Sequence, residues 1–277
     1  MKSLKKILSL FLICSIITVL FVGCGNKSDA KNGDSKEQAS ENTDKSWENV
    51  KKKGKMTVGM CAMYPPFESR NAKNGEIEGF DLDMMRAIAK EIGIEVEFKD
   101  AEYVSLIGGL EKGDYDLLAS GMFRENLAEG NVQGSDTYYN IDTVAVVLEG
   151  NNEIKTLADL KGKVIGVQSG TYAEKLVDSK VQGVKEIKRY NYSAEGFTDL
   201  KAKRIEALVV GHTFATDEVK KKGKYVKVVN DPLGQSEMII MTKKGNSELN
   251  KKLNEGLAKI KQSGELDKIA KKWADME

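Results

Sequence analysis

Residues 119–130 read ASGMFRENLAEG and set a single arginine, Arg124, just after a buried apolar run. Of the 43 basic residues only five are arginine. A guanidinium at this point is either a clamp for an anionic ligand or the solvated start of a helix, where its charge opposes the dipole. Three other groupings could do chemistry. MCAM (60–63) gathers two thioethers and a thiol, soft groups that suit Cu(I). No second cluster supports a metal there, and methionine is also adaptable pocket lining. His212, the only histidine, follows Gly211 and either touches a ligand or caps a helix. TYAE (171–174) fits a capping box, in which the Thr171 hydroxyl accepts from the Glu174 amide while Glu174 reaches back. Such a helix start leaves first-turn amides free to attract an anion without a cationic side chain. No nucleophile–base pair and no zinc spacing can be named. Catalytic residues, metal and cofactor are all expected to be absent.

These residues need elements to position them, and the pattern is α/β. MTVGM (56–60) is a short apolar strand. FDLDMMRAIAKEIG (80–93) puts Leu82, Met85, Ile88, Ala89 and Ile92 on one helical face, with Asp81 or Asp83 as cap and Gly93 as stop. IEVEF alternates as a strand, and VSLIGGLEKG leads into the buried strand YDLLAS (115–120). After residue 142 the plan restarts: strand TVAVVLE, helix TLADLKG, strand KVIGVQSG and helix TYAEKLVDSK. From Ser247 two amphipathic helices follow. LEKGDYDLLASG (110–121) and LKAKRIEALVVG (200–211) share a plan, which suggests two lobes on the same βαβ logic. Ligands lie beyond the carboxyl ends of such strands, so Gly121 and Gly211 should face one cleft.

The first 23 residues are separate. Lys2, Lys5 and Lys6 precede the uncharged apolar run Ile7–Gly23, which is long enough to raise a transmembrane alternative. It ends in LFVGCG (20–25), which resembles a lipobox with Phe21 where leucine is usual, so cleavage and lipidation at Cys24 are expected. Loss of the signal leaves 40 basic against 42 acidic residues, no footprint for nucleic acid. Cys14 leaves with the signal and Cys24 takes the lipid, so Cys61 is alone and no internal disulfide forms. Residues 25–46 contain alanine as their only apolar type and read as a flexible tether, spanning roughly 25 Å.

From about residue 48 onward the chain resembles the amino-acid-type, family 3 substrate-binding proteins of bacterial ABC importers. The resemblance rests on YPPFE (64–68), GEIEGFDLDMMRAIAKEIG (75–93), LKGKVIGVQSGTYAEKL (160–176) and GELDKIAKKW (264–273). It implies a two-lobed, type II periplasmic-binding-protein-like fold with a ligand cleft between the lobes and two hinge strands, near 140–145 and 234–239. Lobe 1 would be 47–142 with 237–277, and lobe 2 143–236, behind signal 1–23 and tether 24–46. The resemblance further implies that Tyr64 and Tyr103 sandwich the ligand. Ser120, Gly121 and Phe123 would meet its carboxylate, and Gln168, Thr171 and Tyr172 its other side. Cys61, Met122 and His212 are further candidates.

The departures matter more. Amino-acid binders of this family carry an arginine where this chain has Ala128, and an aspartate where it has Gly211. The acid of the first strand loop is replaced by Cys61, and the usual threonine or serine by Phe123. A buried ion pair stripped of one partner costs roughly 3–5 kcal/mol, more than about a hundredfold in affinity. The usual zwitterion pose is therefore not expected. Arg124, one α-helical turn before Ala128, is a candidate replacement. The reading is a non-enzymatic, monomeric receptor, lipid-anchored on the extracytoplasmic face of the membrane. It would capture a small carboxylated solute, an amino acid or a related compound, for an ABC permease. A secreted dehydratase of carboxylated ring compounds and a surface adhesin or sensor are the rival readings.

Overall fold

Two sheets carry the chain, which passes between them twice. The computed structural model describes residues 44–274, so Cys24, the signal segment and the tether up to residue 43 lie outside the described residues. Helix α1 (Ser46–Lys53) leads into β1 (Lys55–Met60). A small antiparallel flap follows, made of β2 (Met63–Tyr64), β3 (Glu68–Arg70) and β4 (Ile77–Glu78). Then come α2 (Phe80–Ile92), β5 (Glu95–Asp100), α3 (Leu106–Lys112), β6 (Leu117–Leu118) and β7 (Val132–Gly134). The second sheet takes β8 (Tyr139–Leu148), β9 (Val164–Gln168), α4 (Tyr172–Lys180), β10 (Glu186–Tyr190), α5 (Ser193–Lys201) and β11 (Ala207–Gly211). It closes with α6 (His212–Lys222), β12 (Val226–Val228) and β13 (Gly234–Met238). The chain then returns to the first sheet as β14 (Met241–Lys243) and ends in α7 (Ser247–Gln262) and α8 (Glu265–Ala274).

The first sheet has the order β5-β1-β6-β14-β7, and the second β10-β9-β11-β8-β12, with β13 added on β8. Their central strands are apolar throughout because both faces are covered. Leu117 of β6 joins the core under α2, α7 and α8, whereas its neighbour Leu118 joins the core on the α3 side. Ala207 and Val209 of β11 pack with α4, while Leu208 and Val210 pack with α5 and α6. This is the period-two alternation of a strand buried on both sides. The two passages between the sheets run side by side as β8 and β13, antiparallel from Tyr139↔Met238 to Thr143↔Gly234.

Several local expectations change. YDLLAS keeps only two residues in strand, and TLADLKG and RENLAEG form 3₁₀ turns (Leu157–Leu160 and Arg124–Ala128) rather than α-helix. Helix α2 does end at Gly93, in the left-handed conformation, but its N-cap is Gly79. Asp83 instead accepts from the Lys272 ammonium (2.6 Å) and the Trp273 indole (2.8 Å) of α8. Asp81 is fully buried.

Residues 44–46, expected to close a tether, are instead held on the body. Asp44 accepts from the Glu248 amide (2.6 Å) and Ser46 from the Leu249 amide (3.1 Å). Both amides belong to the first turn of α7, which the helix cannot satisfy itself. Burial works against the Asp44 charge, but the Glu248 amide, Ser46 and the Ser247 amide together hold its carboxyl below the ordinary value. Asp44→Ala is expected to cost about 1 kcal/mol in urea unfolding at neutral pH. That cost should vanish as the pH falls below the carboxylate range; a midpoint equal to wild type at neutral pH would refute the cap.

Candidate functional site

One cavity lies between the two sheets at the carboxyl ends of their strands. Lobe 1 lines it with Cys61, Met63, Tyr64, Glu68, Tyr103, Ser120, Gly121 and Phe123. Lobe 2 supplies Thr143, Gln168, Thr171, Ala173, Ser193, Val209, Val210 and Gly211. Among the expected ligand residues, Arg124, Tyr172, Met122 and His212 are not part of this lining.

The floor on lobe 1 is a hydrogen-bonded network. β6 ends at Leu118, and Gly121 turns the chain with φ +54°, a left-handed conformation that glycine accepts without strain. The Ser120 hydroxyl donates to Glu68 Oε1 (2.9 Å) and accepts from the Cys61 amide (2.9 Å). The Gly121 amide and the Tyr138 hydroxyl both donate to Asp81 Oδ2, each at 3.0 Å. The Phe123 amide donates to Asn126 Oδ1 (2.8 Å). These donors of the 120–123 turn, expected to meet a ligand carboxylate, are thus taken by side chains of the protein.

Glu68 Oε2 and Asp81 Oδ1 are buried and receive no N–H or O–H from other groups. The two carboxyls are close enough for the charge on Asp81 to disfavour a second charge on Glu68. Burial, then the Asp81 charge, hold Glu68 well above the ordinary carboxyl range. Burial raises Asp81 to about 6 despite the opposing Gly121 amide and Tyr138 hydroxyl. Both carboxyls are thus held toward their neutral, protonated form. Burial, followed by the Glu68 and Asp100 charges, pushes the Cys61 thiol up to about 12, so it stays protonated.

Tyr64 reaches across the cleft. Its ring stacks on Phe67 of lobe 1 (centroids 5.6 Å apart, 13° between planes) and on Phe214 of α6 (4.9 Å, 10°). Both faces are occupied, so in this closed arrangement Tyr64 is not half of a ligand sandwich; it joins the lobes. Its hydroxyl lies against the Gly211 backbone, where a Cβ on residue 211 would come within 2.2 Å of it. The space opened by glycine at 211 is filled by Tyr64. Tyr103 opens a 3₁₀ turn, and its buried hydroxyl has no protein partner.

On lobe 2 the Thr171 hydroxyl accepts from the Glu174 amide (3.3 Å) and donates to the Gln168 carbonyl (2.8 Å). Glu174 reaches back one residue further than a standard box, accepting from the Gly170 amide (2.7 Å). Thr171 and Ala173 line the cavity, which places the unsatisfied first turn of α4 at its wall. Gln168 Oε1 accepts from the Ser193 hydroxyl (2.8 Å). Tyr172 instead packs on Phe123 across the lobes (5.9 Å), and Lys175 pairs with Glu129.

Arg124 is turned away from the cleft. Its guanidinium is held by Glu237 of β13 and by the Thr137 hydroxyl (2.9 Å). A 3₁₀ turn has three residues per turn, so positions 124 and 128 do not share a face, and Ala128 is itself exposed. Met122 is buried on the α3 side. His212 is exposed at the start of α6. Glu68, Thr143 and Ser193 were not expected. Glu68 had one usable signal, an acid directly after the apolar YPPF turn.

A family model described as bacterial extracellular solute-binding proteins, family 3, matches residues 56–276. The L-cystine-binding protein TcyJ of Escherichia coli is 30% identical over 225 residues, which cover 81% of this chain and 84% of that protein. The ABC transporter arginine-binding protein 1 of Escherichia coli is 35% identical over 224 residues, covering 79% and 90%. Among solved structures, the ancestral amino acid-binding protein AncCDT-1, a precursor of cyclohexadienyl dehydratase, aligns with a TM-score of 0.76 at 30% identity, covering 82% of this chain and 98% of that one. With the two-lobed α/β fold and the interlobe cleft, these matches identify the chain as a member of the bacterial extracellular solute-binding proteins, family 3.

Proposed function

We propose that the protein is the monomeric, lipid-anchored receptor of an ABC importer, holding a small carboxylated solute in the interlobe cleft and presenting it to the permease. The observation that carries this reading is a cavity walled equally by both lobes and bridged by Tyr64 on Phe214, since a solute touching both walls favours the closed form. The solute's carboxylate is assigned to the first turn of α4, at Thr171 and Ala173, because the donors of the 120–123 turn are engaged. Tyr103, Gln168 and Ser193 complete the polar contacts. Arg124 has no part in the grip. Relatives named for cystine and arginine support an amino-acid-related solute. The filled space at Gly211 and the exposed Ala128 argue against the usual zwitterion pose. The AncCDT-1 match keeps a dehydratase in view, but that protein is itself named an amino acid-binding one.

Native mass spectrometry of the freshly purified, membrane-extracted protein tests the proposal. We expect a monomer that begins at a lipid-bearing Cys24 and retains one carboxylated small molecule. Removing that molecule should open the lobes in small-angle scattering. A dimer, an unmodified N-terminus or a scattering profile indifferent to the solute would each refute the corresponding part.

A further inference from the structure

The chain from Phe123 to Glu129 leaves the cavity floor and meets lobe 2 outside the cavity. Asn126, 1% exposed, ties the two ends of this turn together. Its Oδ1 accepts from the Phe123 amide (2.8 Å), and its Nδ2 donates to Glu129 Oε1 (2.7 Å). Glu129 is thereby aimed by its own lobe. From the other side α4 brings Tyr172 and Lys175, three positions apart and so on one helical face. The Tyr172 ring packs on Phe123 (5.9 Å, 52° between planes). The Lys175 ammonium pairs with Glu129 and donates to the Glu125 carbonyl (3.4 Å), while the Glu125 carboxylate is engaged by Ser236. Of these residues only Phe123 lines the cavity.

We propose that Phe123, Glu129, Tyr172 and Lys175 form a clasp between the lobes, with Lys175 a positioning residue that ties the start of α4 to lobe 1. This rests on the reading of the cleft as the solute site, and adds a part of closure that owes nothing to the solute. Thr171 and Ala173, which line the cavity, flank Tyr172 and lie within about one turn of Lys175 at the same helix start. Docking the clasp and presenting that helix start to a solute are therefore one movement. Because the clasp is protein on both sides, it draws the lobes toward closure even when the cleft is empty, and does not choose among solutes. The side chains of the Lys175–Glu129 pair are 42% and 28% exposed, so salt weakens it.

Pulsed electron paramagnetic resonance on the full, solute-stripped protein reads the clasp without any solute. Spin labels enter at two exposed positions, through Lys90→Cys on lobe 1 and Lys185→Cys on lobe 2, while Cys61, 3% exposed, stays unlabelled. We expect a mostly open protein with a closed minority at about 10 mM salt. That minority should fall roughly two- to fivefold at about 1 M salt, where the Debye length is about 3 Å. Lys175→Glu should lower it by at least as much at about 10 mM, and adding Glu129→Lys should restore about half of the loss or more. Melting temperatures should stay close to that of the wild type, because the pair joins the lobes and lies in the core of neither. The clasp is overturned if the wild type shows no closed minority, if that minority ignores salt and Lys175→Glu, or if the charge swap fails to recover it. Solute-driven closure in scattering beside a minority indifferent to Lys175 would sink the clasp and leave the receptor reading intact. A minority that follows Lys175 in a protein whose scattering ignores the solute would do the reverse.

Discussion

Gly211→Ala should weaken lobe closure while leaving each lobe folded. The added Cβ would lie 2.2 Å from the Tyr64 hydroxyl and 2.7 Å from Ile141 Cδ1. Neither neighbour can move cheaply. Tyr64 is stacked on both faces, and Ile141 is 2% exposed on the passage strand β8. Overpacking of this kind costs about 1–3 kcal/mol. The clash with Tyr64 exists only when lobe 1 meets lobe 2, so that part of the cost falls on closure. It should appear as a roughly ten- to hundredfold loss of affinity for the co-purified solute, with a small change in melting temperature. Tyr64→Phe removes the atom nearest the new methyl and should recover about half of the loss in the double variant, an interaction energy that independent sites would not show. If Gly211→Ala closes and binds as the wild type does, the bridge between Tyr64 and lobe 2 is not what holds the cleft shut.

The elements that local chemistry specifies were legible in the sequence. The apolar stripe from Leu82 to Ile92 and the left-handed stop at Gly93 gave α2 nearly to the residue. The Thr171–Glu174 box gave the start of α4. The motif order gave the two-lobed α/β architecture that the solved structures share. What was not legible depends on partners far away in the chain. Asp81 looks like a helix cap because capping is local, yet it is drawn into the floor of the cleft by the Gly121 amide and the Tyr138 hydroxyl. Arg124 looks free until Glu237, 113 residues later, is placed beside it on β13. Tyr64 looks like a ligand sandwich until Phe214 covers its second face. Glu68 stands in the sequence only as the acid that closes YPPFE, and the fold buries it beside Asp81. Periodicity reports which way a residue faces on its own element, but says nothing about what another element brings to meet it.

Burying two carboxyls against each other is costly, and that cost makes the strongest pH-dependent expectation. The folded pair holds its protons more tightly than the unfolded chain does, with Asp81 at about 6 against 3.8 and Glu68 well above its ordinary 4.5. A group whose folded value is raised contributes its full stability below the unfolded value and loses it as the pH climbs through the folded one. The pair should therefore draw down the stability of the wild type from about pH 4 upward, by as much as about 1.4 kcal/mol per pH unit for each proton at issue. Glu68→Gln removes the conflict at little steric cost. The new amide can donate to Asp81 Oδ1, which has no hydrogen-bond partner, and its carbonyl can still accept from Ser120. Other acids, such as Asp83 and Glu237, have lowered values and give the opposite slope in both proteins, so the informative quantity is the difference between the two urea-unfolding curves. The variant should be near the wild type at about pH 4 and more stable by on the order of 2–3 kcal/mol at about pH 8. A difference that is flat with pH would mean that burial does not raise the two carboxyls. A protein that keeps a destabilising pair beneath its interlobe cleft, where one amide would relieve it, is holding those acids for something other than stability.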